Sequence, residues 1–200
     1  KRRAWGLACA YKNTGYGSGA YDAAGAEVEV FENGGAIVRA GAAEIGQGLV
    51  GVLAQVVSEE LGVPYDRVEV LVSDTDLTPD GDATTASRQT YVSGNAARFA
   101  SREVRSLLSQ TAAEMLDAAP EGLQFAGGQV LGNGRSVALS EVVRQARREG
   151  RRPKVTYQYA APDTKQYQHF AFGFGTQAAL VEVDLKTGEI TLVQQNDDGY

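Results

Sequence analysis

Ala43-Glu44-Ile45-Gly46-Gln47-Gly48, running directly into Leu49, Val50, Leu53, Val56, Val57 and Leu61, decides how this chain reads. The apolar positions after Gly48 fall at helical spacing and define one buried face. Gly62 and Pro64 then stop the helix. Ahead of the loop, Glu27–Glu32 and Ala36–Ala40 flank Asn33-Gly34-Gly35, strand-like runs on either side of a turn, which predicts a hairpin. Glu27 and Glu29 alternate with Val28 and Val30, so they are expected on the solvated face. Val68–Val72 reads as the next strand.

A second polar loop follows that strand: Asp80-Gly81-Asp82-Ala83-Thr84-Thr85-Ala86-Ser87-Arg88-Gln89-Thr90. It leads into another helix, expected from about Ser93 to Ala118 with Ser93 as its cap. Two polar loops that each feed a helix start can hold an anionic ligand. Helix starts present free N–H groups and the positive end of the dipole. Gln47 offers amide donors and an acceptor. Thr84, Thr85, Ser87, Arg88 and Gln89 crowd hydroxyl, guanidinium and amide groups together, and Arg88 matches a phosphate. The plainer alternative is that Gln47 closes a turn and the second loop only enters its helix. The aspartates at 74, 76, 80 and 82 fit no calcium-loop template and read as turn residues.

Outward from this centre, residues 4–14 read as a strand. Gly15–Gly19 is either a flexible turn or a ligand-facing loop. Gly122–Gly134 reads as loop with short strand fragments, and Ser140 as the cap of a third helix ending at Gly150. Arg144, Arg147, Arg148, Arg151 and Arg152 form a basic run without interleaved aromatics, which suits a solvated face. Val155–Tyr159 is a strand whose Tyr157 and Tyr159, like Tyr167 later, read as packing aromatics. His169, the only histidine, reads as structural. Leu180–Asp184 and Glu189–Val193 form a hairpin around Gly188. The fold class is therefore α+β: mixed or antiparallel sheet assembled from hairpins, with helices packed on one face.

The 200 residues carry a formal net charge of −6, which argues against nucleic-acid binding. No apolar run approaches the ~20 residues that cross a bilayer. The single cysteine, Cys9, excludes an intrachain disulfide and a four-cysteine metal site. A cytoplasmic location is expected. The chain opens on Lys1-Arg2-Arg3 and closes on Asp197-Asp198-Gly199-Tyr200 directly after a strand-like run, so residues 1–200 are expected to be one α+β piece, incomplete, of a longer polypeptide. No nucleophile elbow, P-loop or dinucleotide-binding glycine fingerprint is present.

Ala43–Gly48, Glu60-Leu61-Gly62-Val63-Pro64, Thr84–Thr90 and Ser93-Gly94-Asn95-Ala96 together resemble the molybdenum-binding subunit of the xanthine dehydrogenase/aldehyde oxidase family, in its bacterial form. The resemblance extends to Gly6-Leu7-Ala8, to Lys12–Gly15 and to the segment from Phe170 to Leu192. It implies a molybdenum hydroxylase that acts on an N-heteroaromatic or aldehyde substrate with oxygen from water. It implies molybdopterin, in the cytosine dinucleotide form, as cofactor. Partners would be the remainder of the molybdenum subunit, iron–sulfur and FAD domains or subunits and a small-molecule substrate, in an oligomer. Gly46, Gln47 and Gly48 fall on the cofactor-contacting glutamine loop. Thr84, Thr85, Ala86, Ser87 and Arg88 fall on the loop beside the cofactor. The family's Gly-x-Gly-Glu stretch with its general base has no counterpart, so no catalytic residue and no metal ligand is expected here, and this piece alone is expected to be inactive. Without that resemblance, a cofactor-free binding or assembly module, or an unrelated phosphate-loop domain, stands as the alternative.

Overall fold

The computed structural model describes residues 1–17, 19–162, 169 and 171–199, with only the backbone at 197–199. Tyr167 and Phe170 lie outside the described residues. The elements are β1 (Arg2–Asn13), β2 (Ala23–Val30), β3 (Ala36–Ala40), α1 (Leu49–Leu61), β4 (Val68–Val72), α2 (Val92–Leu116), β5 (Gln124–Ala126), β6 (Gln129–Gly132), β7 (Arg135–Ala138), α3 (Leu139–Arg148), β8 (Lys154–Ala160), β9 (Phe172–Val183) and β10 (Ile190–Gly199). They form two compact units, Tyr21–Pro162 and the pair of segments Lys1–Ala20 and Asp163–Tyr200.

In the unit 21–162 a four-stranded sheet runs in the order β4-β3-β2-β8. β2 pairs antiparallel with β3 and β8, placing Val28 opposite both Val38 and Val155. β3 and β4 are parallel, so α1 is the crossover between them. Ala26, Val28 and Val30 of β2 are fully buried. They share one core with Leu53 and Val57 of α1, Ala100, Val104 and Leu108 of α2, and Val142 and Ala146 of α3. The helices thus cover one face, as an α+β fold requires. Gly62 ends α1 at φ 64°, and a Cβ there would stand 2.3 Å from the Phe125 carbonyl carbon, so backbone angle and packing both demand glycine. Tyr157 and Tyr159 stack on Phe99 of α2 at 5.3 and 5.8 Å between ring centroids.

The structure corrects several expectations. Glu27 and Glu29 are half-buried and paired: Arg39 reaches both, at 2.8 and 3.3 Å, and Lys154 reaches Glu27 at 3.0 Å. The reason is the width of the sheet, since a face with charged neighbours on β3 and β8 covers itself. Neither Ser93 nor Ser140 is a cap; Tyr91 and Ala138 hold those places. The Ser93 hydroxyl instead donates to Gln89 Oε1. Residues 124–138 are a complete three-stranded meander, β5-β6-β7.

The second unit is an antiparallel sheet, β1-β9-β10, in which Trp5 faces Leu180 and a bulge separates Leu192 from Gln194. The two hairpins foreseen from the sequence therefore lie in separate sheets. Trp5, Leu7, Tyr11, Phe174, Ile190 and Leu192 are exposed, and every buried hydrophobic side chain among the described residues lies in the other unit. The lone histidine has a partner: His169 Nδ1 lies 3.0 Å from Asn13 Nδ2, and its ring fills the space above Gly17. No helix among the described residues is long and apolar enough to cross a membrane.

Candidate functional site

The two polar loops meet. Gly41 and Gly81 approach backbone to backbone, so closely that a Cβ on Gly41 would stand 2.8 Å from the Gly81 nitrogen and 2.5 Å from the Pro79 oxygen. Thr84 Oγ1 accepts a hydrogen bond from the Ala43 N–H at 2.8 Å. Between the loops lies a cavity of about 400 Å³ lined by Ile45, Gln47 and Thr84–Thr90. A larger cavity of about 710 Å³ lies elsewhere in the unit, walled by Glu29, Glu32, Arg147, Arg151, Arg152 and Lys154. Its charges largely answer one another, as in the Arg147–Glu29 contact at 3.5 Å, whereas the smaller cavity gathers hydroxyl and amide groups and is the candidate site.

The first loop is closed upon itself. Gln47 Oε1 accepts the Ile45 N–H at 2.7 Å, and Gln47 Nε2 donates to the Ala43 carbonyl at 2.8 Å. Glu44 accepts from the Gly46 and Gly48 N–H groups through one oxygen and from the Val50 N–H through the other. The Val50 amide is the foremost cause holding the Glu44 carboxyl below its ordinary value; desolvation opposes it, and the Gly48, Gly46 and Leu49 amides add to it. The start of α1 is thus occupied by the chain's own carboxylate, which corrects the expectation of free N–H groups there. A Cβ at Gly46 or Gly48 would meet nothing within 4 Å, so the outer side of this loop is open to a ligand. Both glycines have positive φ, 99° and 82°.

The second loop is held from behind. Ala86 and Ser87 both have φ 53°, a left-handed backbone that non-glycine residues seldom adopt. Arg88, expected to face a phosphate, is fully buried. Its Nε donates to Asp22 Oδ1 at 2.6 Å, and its Nη1 to the carbonyls of Gly81 and Ala83 at 2.8 and 3.0 Å. Nη2 donates to the Ala23 carbonyl. The guanidinium is spent on the fold. The start of α2 is also engaged internally: the Val92 N–H bonds to the Arg88 carbonyl at 2.7 Å and the Gly94 N–H to the Gln89 carbonyl at 3.0 Å. Asp22 stands in no motif that would single it out in the sequence. Burial first, then a hydrogen bond with Tyr91, push the Tyr159 hydroxyl up to about 12, and the Asp22 charge adds to the shift.

The structure therefore brings Gln47 and Thr84–Ser87 to one cavity, leaves Gly46 and Gly48 at its open loop, and withdraws the Arg88 side chain. Among the described residues no group of three or more His, Cys, Asp or Glu gathers as a metal site. The donors are hydroxyls, an amide and backbone, a set suited to hydrogen bonding a polar organic group.

The family described as molybdopterin cofactor-binding domain matches residues 1–195. The chain is 32% identical over 179 residues to the gamma subunit of the 6-hydroxypseudooxynicotine dehydrogenase complex of Paenarthrobacter nicotinovorans, covering 86% of this chain and 22% of that one. It is 30% identical over 194 residues to a probable xanthine dehydrogenase subunit of Bacillus subtilis, covering 96% and 26%. It therefore spans about a quarter of the length of these relatives. Quinoline 2-oxidoreductase from Pseudomonas putida 86 shares its fold with a TM-score of 0.80 at 22% identity, over 98% of this chain and 26% of that one.

Proposed function

The chain belongs to the molybdopterin cofactor-binding domain family, and from that membership we propose that it forms part of the cofactor cradle of a molybdenum hydroxylase. The observation that supports this reading is the meeting of the Ala43–Gly48 and Thr84–Thr90 loops at one polar cavity. When bound, the molybdenum cofactor supplies oxygen insertion and two-electron chemistry toward an N-heteroaromatic or aldehyde substrate, with water as the oxygen source. The residues of this chain hold and orient. Gln47, whose amide is exposed beside the cavity, would hold the cofactor by donating to it and accepting from it. Gly46 and Gly48 let the backbone approach it, and Thr84, Thr85, Ala86 and Ser87 line its side. The cofactor is the cytosine dinucleotide form. The remainder of the molybdenum subunit supplies the general base, and partner domains or subunits carry the iron–sulfur clusters and FAD. The assembly is a cytoplasmic oligomer.

Gln47→Ala in the full-length protein tests the reading. Gln47 is exposed and its two bonds lie within one loop, so the apoprotein fold should survive. Leaving a buried cofactor group unpaired costs about 1–3 kcal/mol. Retention should fall roughly ten- to hundredfold. Molybdenum and cytosine nucleotide per folded subunit, measured beside apoprotein melting, decide the matter. Unaltered molybdenum content ends the role of Gln47, and a lower melting point with full occupancy assigns it to the turn alone.

A further inference from the structure

Arg88 belongs to the cavity-lining loop, yet its side chain is the largest fully buried one among the described residues. It gathers three parts of the unit. Asp22 and Ala23 stand at the start of β2, Gly81 and Ala83 in the second loop, and its own carbonyl receives the Val92 N–H where α2 begins. The carbonyls it engages flank Asp82, which has φ 57°, and the next left-handed pair is Ala86 and Ser87. Three non-glycine residues in a left-handed backbone within six positions cost free energy, and such a conformation persists only where surrounding bonds over-determine it. Gln89 extends the brace, donating to the Ala83 carbonyl and to Thr84 Oγ1 at 3.3 Å each. Thr84 Oγ1 in turn accepts from Ala43 N–H, so the brace reaches the first loop.

We infer that Arg88 is a positioning residue: with Asp22 it locks residues 81–87 in the backbone that presents Thr84–Ser87 to the cofactor, and its guanidinium makes no contact with the cofactor. This rests on the proposed cofactor site. It assigns a role to Asp22, which does not line the cavity, and it replaces the phosphate-binding role that the sequence suggests for Arg88.

The two roles predict opposite responses at Asp22. Were Arg88 an anion ligand, Asp22→Ala would remove a carboxylate that competes for its guanidinium and would preserve or tighten cofactor retention. As a positioning pair, Asp22→Ala should weaken retention as Arg88→Lys does, because the first removes the acceptor of Nε and the second removes the donors to the Gly81, Ala83 and Ala23 carbonyls. The test uses the full-length protein with both single variants and the joint variant Asp22→Leu with Arg88→Met. The joint variant guards against misfolding, since replacing both members of a buried ion pair by apolar residues is often neutral for stability. Three readouts are taken: apoprotein melting, molybdenum and nucleotide per folded subunit, and hydrogen exchange at residues 81–87 against α2. Every variant that folds should lose protection at 81–87 while α2 keeps it, and should retain cofactor about tenfold less well, the equivalent of about 1.4 kcal/mol. Asp22→Ala with full occupancy beside a depleted Arg88→Lys overturns the inference in favour of an anion ligand. A folded joint variant with wild-type occupancy and wild-type exchange overturns it in favour of a purely structural pair. A wild-type protein without molybdenum removes the cofactor reading alone, and the exchange arm still decides whether the pair locks the loop.

Discussion

Glu44 does at the start of α1 what a bound anion would do, and that has a consequence for pH. Its carboxyl is held below the ordinary value of 4.5, first by the Val50 amide and then by its neighbours. A lowered folded-state value means that the contribution is complete above the ordinary value and is lost as pH falls through the lowered one. The amide resonances of Gly46, Gly48 and Val50 should therefore stay fixed from neutral pH to about 5 and shift together only below 4.5. A joint titration at or above 4.5 would show that the carboxylate does not hold these amides. Glu44 also explains part of what the sequence conceals. Gly-Gln-Gly before an apolar helical stretch announces a loop and a helix start, both of which are present. It does not say that the residue two places earlier fills that start. Arg88 is opaque in the sequence for a stronger reason. Its counter-ion, Asp22, is 66 residues away, and burial of a guanidinium cannot be read from a run of hydroxyl-bearing neighbours.

α2 is the element on which the unit 21–162 is assembled, for it packs on β2, β8, α1 and α3. Leu108 stands fully buried on its inner face. Leu108→Ala should lower stability by about 2–5 kcal/mol through lost burial and a residual cavity. On the outer face Glu60 of α1 accepts from Arg98 at 2.7 Å and from Arg102 at 3.2 Å, with both arginines half exposed. Glu60→Gln should cost only about 0–1 kcal/mol, because water competes for such pairs. Denaturant unfolding of the two variants checks the contrast, and a comparable loss from both would mean that α2 is held by charge as much as by packing. Apolar periodicity makes α1, α2 and the β2–β3 hairpin legible to within a few residues, because a half-buried element must repeat its apolar side. Helix caps escape that reading where the preceding turn, at Arg88–Val92, already supplies the bonds that a Ser93 cap would have supplied. The β5–β7 meander reads as loop because strands of three or four residues carry too few alternations to form a pattern.

Which strands share a sheet is a property of the whole chain, and no local pattern carries it. β1 pairs with β9 across most of the sequence, Arg2 opposite Val183, while Tyr21–Pro162 between them builds the other unit. That unit closes on itself: the Ala161 N–H donates to the Asp22 carbonyl at 2.7 Å, so its two ends lie side by side. Its core cluster draws only on residues within 21–162. Adjacent ends and a private core are the conditions under which a segment folds by itself. Residues 21–162 expressed alone should therefore give dispersed amide resonances and a cooperative melt. The β1-β9-β10 sheet contributes no buried hydrophobic side chain among its described residues, and it exposes Trp5, Leu7, Tyr11 and Phe174. An exposed apolar sheet invites association. The 200-residue chain should sediment with a concentration-dependent mass, and 21–162 as a monomer. If 21–162 melts without cooperativity, or if it associates as strongly as the whole chain, then the assignment of the core to one unit and of the adhesive surface to the other is wrong.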